Sequence, residues 1–269
     1  MSHESKSACF FVNFDLMRIL LTPFIVAYRI YFATVFFVVL TLFYPLFWFL
    51  LLHEKNNQRV FKLKTIVSAI ILFFDFIYIR RLTTPKLQGP YVICPNHSSY
   101  LDIILMYRIL PHTRFLFMGK SELLRWPILS IFFRKVDIAV NREKRFSAMK
   151  SILRARQELN KGWSIVIFPE GKIPVDAPKL DHFKSGPFKL AIDAQVPVLP
   201  ITIVDNWKLF YTDPVLTGLA RPGFARVIIH DEIDTKGMTK KDLVNLRHRT
   251  FETINTPLLK YNQRVYKNH

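Results

Sequence analysis

From Ala33 to Leu52 the chain reads ATVFFVVLTLFYPLFWFLLL, twenty residues without a charge. At 1.5 Å per residue such a helix is long enough to cross a hydrocarbon core, and a helix apolar on every side is an unusual edge for a water-soluble domain. The segment is therefore expected to contact membrane. Asp15 and Arg18 interrupt the earlier apolar stretch and no small-residue cleavage site precedes Glu54-Lys55, so a cleaved signal peptide is a poor description.

A second apolar stretch, TIVSAIILFFDFIYI from Thr65 to Ile79, is shorter, carries Asp75, and predicts an interfacial or packed helix. Basic residues flank both stretches: Arg18 and Arg29 before, Lys55, Arg59, Lys62 and Lys64 between, Arg80, Arg81 and Lys86 after. Positives on every side fix no orientation. They suit two helices dipping into one leaflet from the cytoplasmic face, where each Lys or Arg near anionic lipid adds roughly 1 kcal/mol. A true span is the alternative.

Half of the 269 residues are hydrophobic, 25 are Phe, and the formal charge is +18. A basic balance favours an anionic partner, and with no zinc-finger spacing, RNP-like strand or basic zipper the expected surface is an anionic membrane, not nucleic acid. Cys9 and Cys94 make no disulfide framework, and no Cys/His cluster has metal-ligand spacing.

Beyond about Pro85 the texture changes to short apolar runs separated by helical patterns. YVIC (91 to 94), RFLFMG (114 to 119), KVDIAV (135 to 140), SIVIF (164 to 168), VPVLPITIV (196 to 204) and ARVIIH (225 to 230) predict strands. LDIILMYRIL and FSAMKSILRARQELNKG predict helices, the second with Phe146, Met149, Ile152, Leu153 and Leu159 near one face and its basic residues on a solvated or membrane-facing surface. Strands alternating with helices predict an α/β domain with a largely parallel central sheet flanked by helices. The division expected is 1–84 for the N-terminal membrane-associated helices and 85–269 for the α/β domain.

Four blocks carry chemistry. In PNHSSYLD, His97 and Asp102 are five positions apart, which on one regular helix points them about 140° apart. The histidine must sit in the turn and the aspartate in the following helix, where the carboxylate could orient the ring and leave the other nitrogen as a base. The bland alternative is that Asn96 or Ser98 caps the helix and His97 is an exposed loop residue. VDIAVNRE delivers Arg142 into a loop after a strand, where its planar fork could clamp a phosphate. IVIFPEGK ends a strand in Glu170 and Gly171, which could approach ligand hydroxyls; LDHFKSGPFKLA then offers Lys184, Gly186 and Lys189 at a helix start, suited to phosphate or simply solvated. VPVLPI puts Pro197 and Pro200 in a buried strand, which predicts an edge or bulged path.

Taken in order, NHSSYLD, VDIAVNR, FPEGK and VPVLPI resemble the four blocks of the glycerolipid acyltransferases, specifically the bacterial 1-acylglycerol-3-phosphate acyltransferases, over the chain from about Ala33 to its end. The resemblance implies an acyltransferase that moves a fatty acyl group from a thioester to the sn-2 hydroxyl of 1-acyl-sn-glycerol 3-phosphate, at the cytoplasmic face of the inner membrane. It implies His97 as general base and Asp102 as its orienting group. Arg142, Glu170, Gly171 and Lys120 of FLFMGKSEL would bind the acceptor, and Val196 to Ile201 would shape the acyl-donor side. Coenzyme A or acyl carrier protein would bring the acyl group as co-substrate, with no bound cofactor and no metal. Val136 stands where the family usually has glycine, and Lys172-Ile173 where it usually has threonine and arginine, a change at the acceptor phosphate that Lys172 or Arg145 could offset. Other acceptors, such as a lyso-aminolipid or glycerol 3-phosphate, remain alternatives. So do a non-catalytic basic membrane-binding protein and a thiol enzyme built on Cys94.

Overall fold

Two apolar stretches do form an antiparallel helical pair, and the first is longer than its uncharged run. The computed structural model describes residues 3–125, 127–141, 145–211 and 213–267. Helix α1 spans His3–Leu50 and includes Pro23 and Pro45; α2 spans Asn57–Phe74. Within α1, Leu20–Leu50 is long and apolar enough to cross a membrane, with mean hydropathy 2.1. Its residues Phe32, Val39, Leu40 and Phe47 recur at near-heptad spacing and are buried against the rest of the chain. Phe24, Val38, Leu42, Trp48 and Phe49 are exposed. Among the described residues the helix thus has a face packed on protein and an exposed apolar face.

Helix α2 stops at Phe74, short of the expected end at Ile79. Asp75 closes it, Phe76 turns the chain with φ 54°, and Ile77–Arg81 runs on as strand β1. A bulky residue in the left-handed region is strained, and here the Phe76 carbonyl is held by the Gly223 N–H at 3.0 Å. The β-branched and aromatic residues Ile77, Tyr78 and Ile79 suit the strand they enter. Because β1 falls within residues 1–84, the sheet takes a strand from the segment expected to be helical.

The remaining elements follow the expected alternation. They are β2 (Val92–Pro95), α3 (Leu101–Ile109), β3 (Phe115–Lys120), α4 (Pro127–Lys135), β4 (Ile138–Val140), α5 (Arg145–Asn160) and β5 (Ser164–Val166). After them come α6 (Gly186–Ala194), β6 (Val198–Ile203), α7 (Asn206–Leu209), β7 (Gly223–Ile229), α8 (Leu243–Tyr261) and α9 (Gln263–Lys267). Among the described residues seven strands lie in the order β1-β7-β6-β2-β5-β3-β4, parallel except where β6 meets β7. Helix α2 packs with α1, α3 and β1, while α5, α6 and α8 form a second group over β2, β4, β5 and β6. Helices thus flank a mostly parallel sheet, the architecture read from the alternation.

Strand β6 is interior, not an edge. Pro200 is tolerated there because β7 leaves the ladder beside it: Ile201 pairs with Ile229, the next contact is the bridge from Val198 to Ile233, and between them the His230 N–H reaches the Pro200 carbonyl at 3.1 Å. The path is bulged where proline has no N–H to give.

Several basic residues expected at lipid are consumed inside. Lys64 is buried, 2.6 Å from Asp137 and over the Phe132 ring at 4.7 Å, while the other Asp137 oxygen accepts the Phe117 N–H at 3.0 Å. Arg29 of α1 donates to the carbonyls of Gly218 (2.8 Å), Val215 (2.6 Å) and Tyr211, and lies over Phe210. In α5, Arg154 donates to the carbonyls of Val136 and Asp137. Conversely, Ala155 and Leu159 of that helix are buried whereas Phe146, Met149 and Leu153 are exposed, so part of its apolar face lies outside the core.

Removing one partner of a buried ion pair strands the other charge, which costs about 3–5 kcal/mol. Lys64→Met is expected to destabilise the detergent-solubilised protein by about that amount in urea unfolding. Lys64→Met with Asp137→Asn should lose less, since asparagine keeps an acceptor for the Phe117 N–H without the charge. Equal losses in the two would contradict this account of the pair.

Candidate active site

A fully buried carboxylate must find donors, and Asp102 finds four. It sits in the first turn of α3 with no accessible surface. Its Oδ2 accepts His97 Nδ1 at 2.8 Å and the backbone N–H groups of Ser98 at 2.7 Å and Ser99 at 2.9 Å; its Oδ1 accepts Asn206 Nδ2 at 2.5 Å. A carboxylate so surrounded only accepts, so Nδ1 of His97 carries the proton and Nε2 is the basic nitrogen. The imidazole is 12% exposed and stacks on Phe168, ring centroids 4.0 Å apart and planes 19° from parallel. Five residues of separation become contact because His97 precedes the helix and the turn folds its ring back over Asp102.

Helix capping and the dyad are one arrangement. Ser99 Oγ accepts the Leu101 N–H at 3.0 Å and donates to the Phe210 carbonyl at 2.5 Å, while Tyr100, the residue before the helix, adds no side-chain bond. Ser98 Oγ has no partner among the described residues. Asn96 does not cap: its amide bonds both ways with the Ile203 backbone, at 2.7 and 3.0 Å, tying the turn to the end of β6.

Glu170 supports the same turn from the other side. It is 1% exposed, its Oε1 accepts the His97 backbone N–H at 2.7 Å, and its Oε2 accepts the Asp181 N–H at 2.9 Å. Gly171 follows at φ 76°, a left-handed conformation that favours glycine. Both border a cavity of about 560 Å³ that is also lined by Lys120, Glu122, Arg125, Asn141, Lys172 and Lys184, so that four basic side chains face two carboxyl groups. The structure therefore gathers Lys120, Lys184, Glu170 and Gly171 around one basic cavity, next to the His97 turn. Lys172 stands 3.2 Å from Asp181 at its border. Arg142 lies outside the described residues; its neighbour Asn141 lines the cavity.

Asn206, Phe168 and Arg125 were not anticipated. Asn206 opens a four-residue helix far along the chain, and only the return of β6 beside β2 brings it to Asp102. Arg125 belongs to the same segment as Lys120, just past the end of β3, which was the one available signal. Cys94 is fully buried in β2, and burial pushes its thiol well above the ordinary range, which leaves no accessible thiolate for chemistry. Among the described residues no group of three or more His, Cys, Asp or Glu could hold a metal ion.

The chain as a whole is similar to known proteins. Residues 77–204 match the acyltransferase family model. A 1-acyl-sn-glycerol-3-phosphate acyltransferase of Chlamydomonas reinhardtii is 30% identical over 159 residues, 59% of this chain and 46% of that protein. The human 1-acyl-sn-glycerol-3-phosphate acyltransferase beta is 28% identical over 209 residues, 74% of this chain and 73% of that protein. The crystal structure of the 1-acyl-sn-glycerophosphate acyltransferase PlsC from Thermotoga maritima has the same fold, with TM-score 0.69 and 22% identity over 90% of this chain and 97% of that one. The chain spans about half the length of several curated relatives that it matches.

Burial, opposed by the two backbone N–H donors, pushes the Glu170 carboxyl up from 4.5 to about 8. The folded value exceeds the unfolded one, so folding takes up a proton in that window. The stabilising contribution is complete below the unfolded pKa and is lost as pH rises through the folded one. The melting temperature of the wild type, relative to Glu170→Gln, should therefore fall between about pH 5 and about pH 8.5. A constant difference across that range would contradict it.

Proposed function

We propose, from the match of residues 77–204 to the acyltransferase family model, that the protein moves a fatty acyl group from a thioester to the sn-2 hydroxyl of 1-acyl-sn-glycerol 3-phosphate, giving phosphatidic acid. The observation that carries this is the His97–Asp102 pair, at 2.8 Å, beside a cavity bordered by Lys120, Arg125, Lys172 and Lys184. The pair is suited to a hydroxyl proton and the cavity to a phosphate.

His97 Nε2 takes the proton of the acceptor hydroxyl while that oxygen attacks the thioester carbonyl. The tetrahedral intermediate collapses with loss of the C–S bond, and the imidazolium returns its proton to the departing thiolate. Atoms and charge balance without a covalent acyl-enzyme. Asp102, fixed by Ser98, Ser99 and Asn206, holds the ring in the tautomer that the step requires and stabilises the imidazolium. Glu170 bonds the backbone of His97, so its part is to hold the turn, while Gly171 lets the chain pass close to the cavity.

The acceptor phosphate is assigned to the basic cavity. Its residues Lys120 and Lys184, with Arg142, which follows the cavity residue Asn141 in sequence, are the proposed ligands, and Lys172 supplies a positive charge where related enzymes usually continue with threonine and arginine. A phosphate there is more readily served by several lysines and arginines than is a neutral or zwitterionic head group. The acyl thioester, of coenzyme A or an acyl carrier protein, enters as co-substrate; no bound cofactor is invoked.

Membrane association is proposed through the free face of α1. Because the opposite face is packed along the domain from Phe32 to Phe47, the helix lies beside the domain and dips into one leaflet. The cytoplasmic face of the inner membrane is the assigned location, where both the thioester and the lysolipid are accessible.

General base catalysis contributes typically 10²–10⁴-fold. His97→Ala and Asp102→Asn are each expected to cut acyl transfer to lysophosphatidate by about that factor, measured as phosphatidic acid formed by purified protein, with the fold retained in both and the melting temperature lowered in Asp102→Asn, whose amide offers one acceptor oxygen in place of two. Full activity in either variant would overturn the assignment.

A further inference from the structure

A second cavity, of about 510 Å³, lies between α2, the edge strand β1 and the end of α3. Its walls are apolar, from Ile70, Phe73, Phe74, Ile77, Tyr78 and Ile79, and two guanidinium groups, Arg81 and Arg108, border it. Arg81 closes β1 and donates from Nη2 to the Arg108 carbonyl, so the two charges are held together. Burial, and then the charge of Arg108, lower the pKa of Arg81. Among the described residues neither guanidinium forms an ion pair. Arg81 is exposed and Arg108 half-buried, and two like charges side by side at the end of an apolar trough repel each other, which an anion between them would relieve.

This cavity is remote from the His97 site. Strand β1 is parallel to β7, β7 antiparallel to β6, and β6 parallel to β2, so β1 runs opposite to β2. Strand β2 ends at Pro95, next to His97, whereas β1 ends with Arg81 at the other end of the sheet. Arg108 likewise stands in the last turn of α3, six residues or about 9 Å along its axis from Asp102.

We propose that the α2–β1 groove is a binding site for an anionic glycerophospholipid of the bilayer, its acyl chain along Ile70, Phe73, Phe74 and Tyr78 and its phosphate between Arg81 and Arg108. Apolar walls beside paired guanidinium groups match an amphiphile with one negative head, and planar guanidinium forks suit phosphate oxygens. The groove is continuous with the surface directed at lipid: Ile66, Phe73 and Phe74 of α2 and Phe76 and Tyr78 beyond it are exposed, next to the free face of α1. From the charged end to Ile77 the groove runs the length of β1, about 13 Å at ~3.3 Å per residue, enough for an extended stretch of acyl chain. A lipid held there would fix the angle at which the helical pair and the domain meet an anionic leaflet. The proposal stands independently of the chemistry at His97.

The test is photolabelling of the full chain in neutral-detergent micelles by phosphatidylglycerol that carries a diazirine in its acyl chain, with adducts mapped by peptide mass spectrometry. Adducts are expected between residues 66 and 79, suppressed by unlabelled phosphatidylglycerol but not by phosphatidylcholine or inorganic phosphate, and unchanged in His97→Ala. Arg81→Gln with Arg108→Gln should cut their yield at least tenfold, whereas Arg81→Lys with Arg108→Lys should retain most of it. Equal labelling by a phosphatidylcholine probe, suppression by inorganic phosphate, adducts elsewhere, or full yield in the glutamine variant would each overturn the proposal. If the glutamine variant does not fold, the probe preference and the adduct positions in the wild type decide it.

Discussion

Everything at the site depends on the fact that the Asp102 carboxylate is buried and therefore has to be satisfied by donors. Its four donors come from the turn that precedes α3, from the His97 ring and from Asn206 beyond β6. Those bonds cap the helix, shape the turn and fix the imidazole at once. An ionised group in a dry setting gains more from each donor than it would in water, so the arrangement is stiff as well as satisfied. Its stiffness is what general base chemistry asks for, since a ring that rotates away from Asp102 loses both tautomer and position.

The support extends to the first helix. Ser99 and Asn206 connect the turn to the α7 region; Phe210, which accepts from Ser99, packs against Phe32 with ring centroids 4.6 Å apart and lies under Arg29. Arg226 holds the start of α7 through a two-pronged pair with Asp205, at 2.6 and 2.7 Å. A membrane-directed helix therefore braces the loop that completes the site. The excess positive charge divides accordingly: Arg29, Lys64, Arg154 and Arg226 hold the fold together, while Lys120, Arg125 and Lys184 line the cavity where an anion would bind, with Lys172 beside them paired to Asp181.

What was legible in the sequence was local. The strands declared themselves as short apolar runs, and NHSSYLD announced a histidine in a turn and an aspartate in the next helix. Glu170 was legible as important but not in its orientation: the sequence placed it at a strand end, and only the fold turns it inward onto the His97 backbone. Asn206 could not be read at all, because its partner is more than a hundred residues away and the pairing of β6 with β2 brings them together. Strand β1 was hidden within an apolar stretch that continues the α2 pattern, and what ends the helix is the Asp75-Phe76 turn. Pro200 was read for its missing N–H, which identified a gap in the ladder but not that the strand lies in the interior.

The most direct measurement of the central claim is the tautomer of His97. Nitrogen NMR of the protein labelled with ¹⁵N-histidine, with the His97 signals assigned by their loss in His97→Gln, reports which ring nitrogen carries the proton at neutral pH. A protonated Nδ1 with a bare Nε2 in the wild type is the predicted state, with that preference lost in Asp102→Asn. A proton on Nε2 in the wild type would contradict the account, because no base would then face the acceptor hydroxyl.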